Sequence, residues 1–148
     1  MEVEKIDHIH IYVKDLEKAR DFFAHILGSK FSEMMDVEAY DIQSLVNSLG
    51  IELVGARSKG GPMEKIIEKT GEGLAAISLK VPDIEKAIAE LKAKGLRMTG
   101  REQFGKLKEA WFHPDDAFGV MIELCEYEAG HSTENTHPAE KAFRDTSS

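Results

Sequence analysis

The stretch KIDHIHIYV, residues 5–13, alternates strictly, with Ile9, Ile11 and Val13 on one face and His8, His10 and Tyr12 on the other. A period of two predicts a strand with one dry face. Lys and Glu are the cheap residues for a wet face. Two imidazoles in alternate positions therefore point either to a lined cavity or to two satisfied or exposed histidines.

The pattern then changes period. Leu16, Ala19, Phe22, Phe23 and Ile26 form one helical stripe, introduced by Asp15 as an N-cap and stopped by Gly28. The same grammar returns later in AISLKVPDIEKAIAELKAKGLRM. With Val13 set on Val81, Asp15 falls on Asp83, Glu17 on Glu85, Lys18 on Lys86 and Ala19 on Ala87. The second stripe is Ile84, Ala87, Ile88 and Leu91, ending at Gly95. An offset of 68 residues, from Val13 to Val81, implies a duplicated domain rather than a solenoid.

Strands are predicted at 30–36, 38–46 and 50–56 after the first helix, and at 96–103, 108–113 and 119–126 after the second. The expected fold is α+β: tandem β-α-β-β-β modules forming a curled mixed sheet around a cleft. The expected organisation is a first module over 1–58, a linker over 59–73 with a short helix at 62–70, a second module over 74–128, and a tail over 129–148. The tail is polar and aperiodic, which predicts a mobile or loosely packed segment.

Two strands interrupt apolar sequence with one glutamate. In GVMIELCEY, Val120, Ile122 and Leu124 share a face, and Met121, Glu123 and Cys125 share the other. In GIELVG, Ile51 and Leu53 oppose Glu52 and Val54. A carboxylate there is costly unless solvated, paired or bound to a cation. If the sheet curls, His8, Glu52 and Glu123 can point into one cleft as donors for a divalent cation.

Composition narrows the function classes. The 148 residues are 42% hydrophobic and 31% charged, with a formal net charge of −8. That acidity argues against nucleic acid and anionic membranes as partners. A single cysteine, Cys125, allows no internal disulfide, and the N-terminus has no signal-peptide pattern, so the expected location is cytoplasmic. No apolar run approaches the roughly 20 residues of a bilayer span. Exposed edges of two half-sheets favour association, and a homodimer is expected.

With DHIHIYV in the first strand, IELV in the fourth and HPDDAFGVMIEL at the end, the duplicated chain resembles the vicinal oxygen chelate superfamily, which includes glyoxalase I, ring-cleaving dioxygenases, antibiotic-resistance proteins and methylmalonyl-CoA epimerase. The final motif is most similar to the epimerase branch. The resemblance implies four metal ligands, one from each of four strands, which map to His8, Glu52, Glu123 and a second histidine. That histidine's position is Ala76, which cannot ligate.

His10 shares the parity of His8. It is open as the replacement ligand, as an acid/base or substrate contact, or as a packing residue. The implied cofactor is a divalent metal ion (Co, Ni, Zn, Mn or Mg), unless Ala76 marks its loss. The implied reaction is epimerisation of an acyl-CoA such as methylmalonyl-CoA, with Glu123 as one acid/base group and Asp41, or else Glu38, as the other. His113 and Lys106, with Lys108, are candidate substrate contacts. The alternatives are a metal-free ligand-binding or resistance-type protein, or a glyoxalase-like lyase. A dioxygenase would need His10 to ligate.

Overall fold

The computed structural model describes residues 1–128 and residue 137. Eleven regular elements follow in chain order. They are β1 (Lys5–Tyr12), α1 (Leu16–Leu27), β2 (Met35–Val37), β3 (Ile42–Val46), β4 (Ile51–Ala56), α2 (Pro62–Thr70), β5 (Gly73–Lys80), α3 (Ile84–Ala93), β6 (Met98–Phe104), β7 (Leu107–Phe112) and β8 (Met121–Glu126). The tandem β-α-β-β-β order and the mixed pairing agree with the expected fold class. Among the described residues, no helix is long and apolar enough to cross a membrane.

The chain forms two compact units, and β1 is divided between them. One unit takes Met1–Ile9 and the chain from Ala75; the other takes His10–Leu74. In the first, the strands run in the order β1-β5-β8-β7-β6. β5 and β8 are parallel, with Ser78 opposite Glu123, and β7 is antiparallel to β8, with Trp111 opposite Glu123. Period-two alternation then sorts the side chains. Ala110, Phe112 and Leu124 are buried against Val81 and the α3 stripe of Ile84, Ala87, Ile88 and Leu91. Ser78, Glu109, Trp111, Glu123 and Cys125 have the opposite parity.

In the second unit the order is β2-β3-β4-β1. Here Val54 packs with Met63 and Ile67 of α2, beside Tyr12, Ile42 and Ala56. Both long-helix caps form as expected: Asp15 accepts from the Lys18 amide at 3.0 Å and Asp83 from the Lys86 amide at 3.1 Å. Gly28 closes α1 in the left-handed region at φ 60°, where a side chain is strained.

Three expectations need correction. The strand expected at 30–36 is only Met35–Val37, plus an isolated bridge from Phe31 to Asn47. The strand expected at 38–46 begins instead with a 3-10 turn over Glu38–Tyr40, and Asp41 caps that turn at φ 55°. A left-handed residue cannot continue a ladder. Finally, the α1 stripe contains no buried residue, and Phe22 and Ile26 are exposed. Periodicity marks an apolar face but does not say what covers it. The tail expectation lies outside the described residues, apart from His137, which is buried.

Candidate metal and acid/base site

In the first unit, β1 and β8 bring two sequence-predicted residues together. His8 Nε2 lies 3.0 Å from Glu123 Oε2, with both side chains almost fully buried. The other ring nitrogen, Nδ1, lies 2.7 Å from Asp7 Oδ2. Asp7 also accepts a hydrogen bond from the Tyr127 hydroxyl at 2.5 Å, and the Lys5 ammonium is 3.8 Å from its Oδ1. On the far side, Trp111 Nε1 donates to Glu123 Oε1 at 2.7 Å. The imidazole is therefore oriented from behind by a carboxylate, and the glutamate is fixed by an indole.

Glu109 of β7 joins this group. One donor atom each from His8, Glu109 and Glu123 lie within 4.8 Å of one another. Donors around a common cation sit about 2.0–2.6 Å from it, so that spacing fits a single ion. The donor chemistry fits as well: both ring nitrogens of His8 face carboxylate oxygens. Nδ1–H can serve Asp7, but Nε2 and Glu123 Oε2 then need a proton or a cation between them. The carboxylates also act on Cys125, whose thiol is pushed well above its ordinary range by burial and then by Asp7, Glu123 and Glu109.

In the second unit, His10 Nε2 lies 3.0 Å from Glu52 Oε2. Both face the same way by parity: Tyr12, two positions beyond His10, and Val54, two beyond Glu52, meet in the α2 cluster. His8, His10, Glu52 and Glu123 thus each lie beside one of the others within its own unit.

The remaining predicted residues have other surroundings. Asp41 is buried. Its Oδ1 accepts from Ser58 Oγ at 2.6 Å, and its Oδ2 has no hydrogen-bond partner among the described residues. A Cβ on Gly61 would collide with this Oδ2. Glu38 is exposed, 4.0 Å from Arg57. His113 accepts from the Asp115 amide at 3.1 Å and so caps the 3-10 turn Pro114–Asp116. Lys106 is exposed in the β6–β7 turn, and Lys108 pairs with Glu126 at 3.1 Å. Ala76 is fully buried and, as an alanine, offers no donor.

Sequence reading missed Glu109, Trp111, Tyr127 and the orienting role of Asp7. The signal for the first two was present. In LKEAWF, Glu109 and Trp111 share the parity opposite to Ala110 and Phe112, the same alternation that exposed Glu123.

Comparison with known proteins bears on the family and the fold. The profile of the Glyoxalase/Bleomycin resistance protein/Dioxygenase superfamily matches residues 5–124. Mitochondrial methylmalonyl-CoA epimerase of Homo sapiens is 30% identical over 128 residues, covering 81% of this chain and 72% of that protein. The crystal structure of a hypothetical protein from Bacillus halodurans C-125 superposes with a TM-score of 0.77 at 30% identity, covering 87% of this chain and 98% of that one. A Streptomyces coelicolor methylmalonyl-CoA epimerase variant in complex with 2-nitronate-propionyl-CoA superposes with a TM-score of 0.75 at 24% identity, covering 86% of this chain and all of that one. At that identity the likeness shows the fold. The chain belongs to the Glyoxalase/Bleomycin resistance protein/Dioxygenase superfamily.

Proposed function

We propose that the protein is a metal-dependent isomerase that epimerises an acyl-CoA, methylmalonyl-CoA being the leading substrate. The observation that carries the reading is the buried His8–Glu123 pair, 3.0 Å apart and backed on the imidazole side by Asp7. The identity to human methylmalonyl-CoA epimerase supports the choice of reaction.

His8 and Glu123 would hold the cation, with Glu52 the ligand that the family resemblance adds and His10 beside it. A bound divalent cation supplies Lewis-acid stabilisation for an enolate oxygen. The chain's own residues do the rest. Asp7 keeps the Nδ1 proton of His8, which leaves Nε2 as the donor. Trp111 occupies Oε1 of Glu123, so Oε2 is the oxygen that ligates or moves a proton. Epimerisation removes the C–H proton beside the thioester carbonyl to one carboxylate, and an acid on the opposite face returns a proton to the same carbon. Glu123 is one such group. Asp41 is the candidate for the other, its Oδ1 held by Ser58. His10, His113 and Lys106 are the proposed substrate contacts. A homodimer and a cytoplasmic setting belong to the same proposal.

The test is solvent exchange. Metal-loaded protein incubated with methylmalonyl-CoA in D2O should place deuterium beside the thioester, seen by mass spectrometry. Glu123→Gln should lose the exchange. Absence of exchange with every divalent cation tried would sink the reading.

A further inference from the structure

The family ligand set leaves a gap at Ala76, and β7 carries a carboxylate that can fill it. We propose that Glu109 is the donor that replaces the missing imidazole, so that the cation at His8 and Glu123 is held by more oxygen and less nitrogen and the site shifts toward hard cations such as Mn2+. The inference rests on the reading that this site binds a divalent cation at all.

Four observations support Glu109. It contributes a donor to the only group, among the described residues, that joins His8 to Glu123. It faces Cys125 in the β7–β8 register, two residues from Glu123 and on the same face. Trp111 already engages one oxygen of Glu123, which leaves that residue one oxygen to give. The charge balance points the same way. Asp7, Glu109 and Glu123 stand around one imidazole, and the Lys5 ammonium lies 3.8 Å from Asp7. Glu109 also lies directly opposite Glu102 across β6–β7. Buried or facing like charges destabilise a sheet unless a cation offsets them.

Replacing an imidazole by a carboxylate changes selectivity. Imidazole favours Zn2+, Co2+ and Ni2+, whereas carboxylate suits Mn2+ and Mg2+. The wild-type ratio of Mn2+ to Zn2+ affinity should therefore exceed that of a Glu109→His variant.

The experiment is calorimetric titration of the metal-stripped full chain with Mn2+ and with Zn2+, on wild type, Glu109→Gln, Glu109→His and Glu123→Gln. Even outer partners of metal ligands are worth about 10- to 100-fold in affinity, so loss of a ligand should cost Mn2+ binding at least that much in Glu109→Gln. Glu109→His should weaken Mn2+ and tighten Zn2+. Wild-type Mn2+ affinity in Glu109→Gln, with loss in Glu123→Gln, would overturn the role of Glu109 and leave the cation site standing. No divalent binding by the wild type would overturn both. If Glu109→Gln does not fold by circular dichroism, Glu109→His decides, and an unchanged Mn2+/Zn2+ ratio overturns the proposal.

Discussion

The hydroxyl of Tyr127 donates to Oδ1 of Asp7 at 2.5 Å, while Oδ2 of the same carboxylate stands 2.7 Å from His8 Nδ1. A residue just past the last strand thus reaches the first strand and sets the acceptor strength of the carboxylate behind the imidazole. Burial raises the phenol's pKa well above its ordinary range, and Asp7 adds to that, so the hydroxyl keeps its proton.

Tyr127→Phe should leave Asp7 Oδ1 short of a buried donor. The expected cost is about 1–3 kcal/mol, read from denaturant unfolding. Divalent-metal affinity should change as well, because an orienting partner of His8 has altered. A fully stable variant would mean that solvent or Lys5 takes over the acceptor.

Much of this site was legible because strands have a rigid period. His8, His10, Glu52 and Glu123 could be assigned a face from sequence alone, and their pairs are found on those faces. Asp41 was harder. Its placement depends on a left-handed residue ending a 3-10 turn, and nothing in VEAYDIQ announces that non-glycine conformation. The α1 and α3 stripes look alike in sequence, yet only α3 is buried. Burial depends on the layer opposite, which a one-dimensional pattern does not contain. Tyr127 and Asp7 are 120 positions apart. A contact of that range follows from strand order, which the sequence pattern left open.

Ala76→His tests the gap in the ligand set from the other side. Ala76 is 0% exposed and pairs with Met121 in the β5–β8 register. The new ring must displace packed neighbours, at about 1–3 kcal/mol of stability without metal. Zn2+, Co2+ and Ni2+ should bind more tightly and recover part of that loss as a rise in melting temperature. Unchanged Zn2+ affinity by calorimetry would show that position 76 does not reach the donors.

Acid stability should depend on a surface pair in the first unit. Asp116 accepts three hydrogen bonds from Arg97, one from its amide and two from its guanidinium. These contacts hold the Asp116 carboxyl down at about 2, against 3.8 ordinarily. A depressed folded pKa gives stability that is present above the unfolded value and is lost as pH falls through the folded one. Asp116→Asn should therefore melt below wild type at pH 6. The gap should close between about pH 4 and pH 2. A gap independent of pH would assign the effect to packing instead.

Trp111 is the only tryptophan in the chain, and its indole N–H is committed to Glu123. Tryptophan fluorescence from this protein therefore arises from one ring, hydrogen-bonded to the carboxylate proposed to ligate the cation. Proton uptake by Glu123, arrival of a paramagnetic ion or withdrawal of the carboxylate would each change the colour or brightness of that light. The protein carries its own dye, built into the place where an experimenter would otherwise have to attach one.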